Sequence, residues 1–240
     1  DDDTGYVTFT LNSGSSLDVD TFKTNLNVDF DTTWASGADS ANAIQIYDIT
    51  ELQEIEDTTA NLAYYYELAN NIDASATSGS DWDSTNDVFE TNTGNGYGFD
   101  PIGDDTVKFT GSFDGNNYKI DGLYIDRSSE DYVGLFGSVS SATIQNVGLT
   151  DLDIQGNLQV GGLIGRNDNS NVSDSYSKGT MTVNNSYSGG LIGANWQGTI
   201  QNSYSVVDLN VVNVSVGDVG GFIGNHSGGA GATINSSYAQ

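Results

Sequence analysis

The sequence predicts an all-β protein built as a right-handed parallel β-helix, a solenoid of stacked coils. Three observations lead to this fold: a repeat of about 28 residues, short runs of alternating apolar residues, and a composition with 30 glycines and one proline. A unit of this size cannot bury its own apolar face, so successive units must stack and share one continuous core.

The repeat is marked by a glycine-rich phrase in which two apolar residues stand between glycines. Its first apolar residues are Leu135, Leu163, Leu191 and Phe222, at successive spacings of 28, 28 and 31 residues. A second phrase with a central Ile or Val follows each one. Stacking places equivalent residues about 4.8 Å apart. The spacing therefore predicts an aliphatic column (Ile144, Val172, Ile200, Ile234), a polar turn column (Asn146, Asp174, Asn202, Ser236) and an aromatic column (Tyr176, Tyr204, Tyr238).

These phrases resemble the GLUG repeat of bacterial and archaeal cell-surface and secreted proteins. The resemblance rests on the glycine-rich phrases at 161–165 and 189–193 and on Thr199-Ile200-Gln201-Asn202-Ser203-Tyr204, and it covers residues 44–240, with GLUG-like repeats in 132–240. Residues 99–125 resemble the lead-in that commonly precedes such repeats. The resemblance implies a β-helix and an extracellular or cell-surface location, and it supplies no shared catalytic residues.

Residues 1–43 lack the repeat and are expected to form an N-terminal strand extension or cap, ahead of a β-helix over 44–240. One half-buried strand is predicted here, with alternating apolar and hydroxylated side chains: Tyr6, Val7, Thr8, Phe9, Thr10 and Leu11. It is expected either to cover the first open coil or to dock on another subunit. Downstream, Thr50 with Gln53 three residues later predicts a short helix starting at Thr50. Strand should return at Tyr64–Ile72, and residues 74–98 should form a long excursion.

The charge balance limits the partners. Six Lys and Arg against 33 Asp and Glu give a net charge of −27, which repels phosphate backbones and anionic lipid. We therefore expect no nucleic acid partner. With no run of about 18 apolar residues, no membrane insertion is expected either. The absence of cysteine excludes disulfides and thiolate metal sites, and one histidine, His226, leaves little room for a catalytic triad.

The resulting hypothesis is a non-enzymatic extracellular protein with a structural or adhesive role. Because the sequence stops partway through a repeat unit, it is expected either to be cut from a longer protein or to assemble head-to-tail with itself into a filament. Two alternatives stay open: a module that binds surface glycans, and a glycoside-active β-helix enzyme with paired carboxylates.

Three sets of side chains are candidate sites. An acidic stretch with oxygen ligands at odd spacing is a candidate calcium site, with a solvated loop as the alternative: Asp81, Asp83, Asp87 and Glu90. The aromatic column is a candidate for stacking on sugar rings, with a purely structural ladder as the alternative. Five Asn-x-Ser sequons are candidate glycosylation sites: Asn171, Asn184, Asn213, Asn225 and Asn235.

Overall fold

A computed structural model describes residues 37–79, 82, 96–213, 217–227 and 232–240. In these residues the chain forms a solenoid of parallel strands with one short α-helix, which confirms the predicted fold class. The predicted strand from Tyr6 to Leu11 lies outside the described residues, as does most of the predicted excursion.

Strands are numbered in chain order, and each full coil contributes one strand to each of three sheets. The first sheet has seven strands, in the spatial order β1 (Ile44–Ile46), β2 (Tyr65–Leu68), β4 (Ser112–Asp114), β8 (Thr143–Gln145), β11 (Asn171–Ser173), β15 (Thr199–Gln201) and β19 (Thr233–Asn235). The second has the order β3 (Ile72–Asp73), β5 (Lys119–Asp121), β9 (Gly148–Gly156), β12 (Tyr176–Val183), β16 (Tyr204–Val211) and β20 (Tyr238–Ala239), with β6 (Tyr124–Arg127) also paired to β9.

The third sheet carries the residues that follow the glycine-rich phrase. It has four strands, β7 (Phe136–Ser140), β10 (Ile164–Asp168), β14 (Ile192–Trp196) and β18 (Ile223–Ser227). A separate two-stranded sheet is formed by β13 (Ser188–Gly189) and β17 (Val219–Gly220). These two strands precede β14 and β18, respectively, in the chain. All named strand pairs are parallel, so equivalent residues of successive coils lie next to each other.

The strand register confirms the predicted aliphatic column. Val172 pairs with Ile144 on one side and with Ile200 on the other, and Ile200 pairs with Ile234. Ile144 and Ile200 are fully buried, whereas Ile234 is 39% exposed in the last strand of its sheet. Towards the N-terminal coils the same column continues through Phe113, which packs edge-on against Phe136 at 5.4 Å between ring centroids.

The glycines of the repeated phrase are required because backbones approach closely there. A Cβ on Gly161 would lie 2.2 Å from the Ile164 carbonyl oxygen, and one on Gly220 would lie 2.2 Å from that of Ile223. No side chain fits at such distances. The chain therefore turns tightly at this corner and directs the two following apolar residues, such as Leu163 and Ile164, into the core.

The predicted polar turn column is also confirmed. Asn146, Asp174, Asn202 and Ser236 all have left-handed backbones, with φ between 49° and 56°. Asn and Asp adopt this conformation more readily than most residues. Asn202 Nδ2 donates to Asp174 Oδ1 at 3.1 Å, which links neighbouring members of the column.

The short helix α1 (Ile49–Gln53) begins one residue before the predicted start at Thr50. Its N-cap is Asp48, whose carboxylate accepts from the backbone N–H groups of Thr50 and Glu51 at 2.9 and 3.0 Å. Strand returns at β2 and β3, as predicted. Short 3₁₀ turns occur at Ser40–Asn42, Glu54–Glu56, Asn61–Ala63 and Ser75–Ser78. Leu52 and Ile55 are fully buried, so this helical segment is part of the core.

Candidate functional site

A ladder of serines ties successive coils together. Ser175 Oγ accepts from the Val147 N–H at 3.1 Å and donates to the Ser173 carbonyl at 2.7 Å. Ser203 repeats the arrangement one coil later, with distances of 3.2 and 2.7 Å to Ser175 N and Gln201 O. Each hydroxyl accepts from a backbone N–H of the preceding coil and adds a second donor to a carbonyl that also accepts from a backbone N–H, the Asn146 N–H for Ser173 and the Asp174 N–H for Gln201.

A second polar ladder runs inside the solenoid. Asn167 Nδ2 donates to Asn195 Oδ1 at 2.8 Å, and Asn195 Nδ2 lies 2.9 Å from His226 Nδ1. Both asparagines are fully buried, and the corresponding residue one coil earlier is Val139. The histidine that could have served a catalytic triad is thus a member of a structural ladder. Sequence reasoning missed this ladder, although the spacing of 28 residues between the two asparagines was a signal for it.

The aromatic column forms as predicted. Tyr176 and Tyr204 stack at 5.0 Å between centroids with planes 7° apart, and Tyr204 and Tyr238 stack at 5.4 Å and 9°. Lys178 Nζ lies 5.0 Å from the Tyr176 centroid. Because the rings cover each other, the column is itself a structural ladder. Glycan stacking on Tyr176, Tyr204 and Tyr238 stays a prediction; Tyr238, which is 54% exposed, offers the most ring surface to a sugar.

The sequons lie in two kinds of environment. Asn171, Asn213 and Asn235 are exposed. Asn184 Nδ2 donates to the Ser128 carbonyl at 2.7 Å and Asn225 Nδ2 to Asp218 Oδ2 at 3.2 Å. Glycosylation of these residues stays a prediction.

The candidate calcium residues Asp81, Asp83, Asp87 and Glu90 all lie outside the described residues. Within the residues that the structure describes, no three or more Asp, Glu or His side chains are grouped so that they could hold a metal ion.

A buried ionic cluster joins the N-terminal helical segment to the coils. The Arg127 side chain is 1% exposed, and its guanidinium lies 3.0 Å from Asp100 Oδ2 and 2.9 Å from Glu130 Oε2. Gln53 bridges to the same region, since its side chain accepts from the Asp100 N–H at 2.9 Å. This cluster fixes the end of α1 against the coils, and sequence reasoning did not identify it.

An open groove lies at the corner between the third and first sheets. It has a volume of about 310 Å³ and is lined by Arg166, Asp168, Asn169, Trp196, Gln197 and Ser227. We call it the Trp196 groove. Asp168, Trp196 and Ser227 are direct partners in successive strands β10, β14 and β18, so they form one outward row along the axis.

Arg166 organises this groove. Its guanidinium carbon lies 4.5 Å from the Trp196 ring centroid, and its nitrogens contact Asp168 at 3.1 Å and Asp105 at 2.9 Å. Lys108 Nζ contacts Asp168 at 2.6 Å. Partial burial lowers the pKa of Arg166, but its hydrogen bond to Asp168 and the charges of Asp168 and Asp105 raise the pKa above its ordinary value. The arginine is therefore always charged and held in place.

The last strand of each sheet presents an open edge. β18, β19 and β20 each pair on one side only in the part of the chain that the structure describes. These last strands expose apolar side chains whose equivalents in earlier coils are buried. Ile234 is one of them.

Comparison with known families identifies the repeat. Residues 156–184 and 184–212 each match the GLUG motif. The chain carries GLUG repeats. Each matched segment contains one glycine-rich phrase with its third-sheet strand, first-sheet strand and second-sheet strand, so a GLUG repeat corresponds to one coil of the solenoid.

Two curated relatives resemble the chain. It is 37% identical over 145 residues to a protein of Haloquadratum walsbyi named halomucin, a match that covers 59% of this chain and 2% of that protein. It is 41% identical over 56 residues to a protein of Evansella cellulosilytica named as a Gly-rich membrane protein, covering 23% of this chain and 6% of the relative. The chain thus matches only a small part of each relative.

Among solved structures, one from Bacteroides ovatus, described as an immunoglobulin A1 protease candidate, has a TM-score of 0.48 and 16% identity, and the match covers 85% of this chain and 76% of the other. None of the helices in the described part of the chain is long and apolar enough to cross a membrane.

Proposed function

We propose that the chain is a non-enzymatic structural segment of an extracellular or cell-surface protein, in which the GLUG coils act as a stiff rod. The observation that carries this is the set of continuous ladders along one axis: backbone pairing in three sheets, the serine ladder, and the asparagine ladder. Each ladder resists separation of neighbouring coils. The names of the two relatives, halomucin and a Gly-rich membrane protein, support a role at the surface.

The acidic exterior suits this role. A net charge of −27 keeps a rod hydrated and disfavours lateral association of like-charged copies. Contact between copies is then favoured at the ends, where the backbone edges and the exposed Ile234 and Tyr238 lie. The proposed assembly is head-to-tail: strands of a second copy continue β18, β19 and β20, and repeated contacts of this kind form a filament.

The partner surface for this contact is proposed to include the segment from Tyr6 to Leu11. Its alternation of apolar and hydroxylated residues fits a strand added to an existing sheet. Calcium binding by Asp81, Asp83, Asp87 and Glu90 is a separate prediction, which calorimetric titration of the chain with CaCl₂ tests.

The experiment is sedimentation velocity with negative-stain electron microscopy over a range of protein concentrations. We expect polymers with a regular axial repeat that disappear when residues 1–12 are deleted or when Ile234→Glu places a charge on the open edge. Gln201→Glu is the matched control, because it adds the same charge to an exposed residue of β15, a strand that is already paired on both sides with β11 and β19. A wild-type chain that stays monomeric, or an Ile234→Glu variant that still polymerises, contradicts head-to-tail assembly.

A further inference from the structure

We infer that the Trp196 groove binds a neutral carbohydrate of one or two sugar units. This adds a ligand to the proposed rod and places the glycan contact at a surface other than the tyrosine column. The inference rests on the arrangement of the groove's side chains, their charge balance, and its size.

The groove is rigid because its corner residues are fixed by the backbone. Asn169 and Gln197 have left-handed φ angles of 60° and 67°. Their N–H groups donate to the carbonyls of Trp196 and Ser227 at 2.8 and 3.0 Å, one coil further along. The backbones of the two residues are therefore neighbours on successive coils, next to Trp196. A backbone held in this way loses little conformational entropy when a ligand binds.

The chemistry of the lining matches a sugar. Trp196 is 38% exposed and presents apolar ring surface, which suits the C–H face of a pyranose. The amides of Asn169 and Gln197 both donate and accept hydrogen bonds, the Ser227 hydroxyl does the same, and Asp168 accepts. Hydroxyl groups need such a mixture of donors and acceptors around an apolar surface.

The charge balance favours a neutral ligand. The groove contains one guanidinium, but Asp168 and Asp105 already bind it, and Lys108 is bound by Asp168 as well. No cation among these groups is left to neutralise a carboxylate or sulfate on a ligand. The net charge of −27 further repels anions. An acidic sugar would therefore bind more weakly than its neutral counterpart.

The size limits the ligand. A volume of about 310 Å³ is at the low end for small-molecule sites, and the groove is open to solvent. One or two sugar units fit, and the contact is expected to be weak for a single site. Several copies along a polymer would raise the overall affinity by multivalency.

The test uses the 240-residue chain labelled with ¹⁵N, and follows the indole N–H signal of Trp196, assigned by its loss in Trp196→Ala. The probes are cellobiose, maltose, mannobiose, lactose and diacetylchitobiose, with digalacturonic acid as the anionic comparison, each at up to about 20 mM, a range suited to weak binding. At least one neutral disaccharide should shift the Trp196 signal saturably, and digalacturonic acid should not.

The variants separate a binding role from a structural one. Binding by the variants is followed at the backbone amide of Asn169, a groove residue that all of them keep. Trp196→Ala should weaken binding at least tenfold, Trp196→Phe should retain part of it, and Gln197→Ala should weaken it severalfold. Gln201→Ala, an exposed glutamine in the same coil, is the matched control and should bind as wild type. Circular dichroism confirms that each variant is folded.

Three results overturn the inference: no neutral disaccharide shifts the Trp196 signal, binding survives in Trp196→Ala, or digalacturonic acid binds more tightly. Assembly is measured separately by sedimentation. A failure of the filament proposal therefore leaves this test unaffected, and the reverse also holds.

Discussion

The aliphatic column makes a quantitative prediction about two isoleucines that occupy the same column at different depths. Ile200→Ala removes three carbons from a fully buried side chain, and at about 0.8 kcal/mol for each carbon the transfer loss alone is about 2.4 kcal/mol. The cavity left behind raises the expected loss to about 3–4 kcal/mol, within the range of buried Ile→Ala changes. Ile234 is 39% exposed and opens to solvent, so Ile234→Ala should cost less than about 1.5 kcal/mol.

The assay is urea unfolding followed by far-ultraviolet circular dichroism. With a denaturant slope of about 3 kcal/mol/M, Ile200→Ala should lower the midpoint by about 1 M, and Ile234→Ala by less than half of that. An unchanged slope shows that the same surface unfolds in each variant. Equal losses for the two variants, or a loss below about 1 kcal/mol for Ile200→Ala, would refute the stacking order, because both residues would then have the same environment.

Three further predictions concern polar groups. Arg127→Met leaves Asp100 and Glu130 without their buried cation, so we expect a loss of about 3–5 kcal/mol in urea unfolding; a loss under 1 kcal/mol contradicts a stabilising role for the cluster. Ser203→Ala leaves the Ser175 N–H without its acceptor, although the Gln201 carbonyl keeps its bond from the Asp174 N–H, and it should cost about 1–3 kcal/mol; Ser186→Ala, at a partly exposed serine, should cost less by the same assay. Burial raises the pKa of Glu54 above its ordinary value of 4.5, with Glu51 and Asp48 adding to the shift. A raised pKa in the folded state destabilises the ionised form, so stability is lost as pH rises through that pKa. Glu54→Gln should therefore raise Tm at pH 7 and leave it unchanged near pH 3, and a lower Tm at pH 7 would show that the pKa is not raised.

The columns could be predicted from the sequence because they depend only on spacing. Once Leu163 and Leu191 fix the repeat at 28 residues, equivalence of Val172 with Ile200 and of Tyr176 with Tyr204 follows by counting. The turn column followed in the same way, since Asp174 and Asn202 are residue types that tolerate the left-handed conformation that a corner requires. These predictions needed no knowledge of side-chain contacts.

The candidate groove and the ionic cluster could not be predicted in this way. Arg166 and Asp105 are far apart in sequence. Their contact depends on how the segment that precedes the repeats packs against the repeat coils. Arg127 shares a face of β6 with the buried Ile125, so alternation would place it inside, but its charge indicates an exposed residue. Asn167 and Asn195 could not be predicted for a different reason. An inward polar residue violates the apolar pattern, and its side-chain amide finds a hydrogen-bond partner only because an equivalent polar residue lies one coil away.

The polar ladders also explain how the solenoid keeps its register where the repeat length changes. Three extra residues separate β16 from β17 relative to the equivalent β12 and β13, yet Ser188 still pairs with Val219 and Ile192 with Ile223. A slip of one residue would turn the aliphatic column to the outside, so apolar burial fixes the strand register. The Asn195–His226 and Ser203–Ser237 hydrogen bonds add to this, since a shifted coil would leave the Ser203 N–H without its acceptor. Apolar burial and the polar ladders therefore favour the same register, so that extra length is confined to the corners.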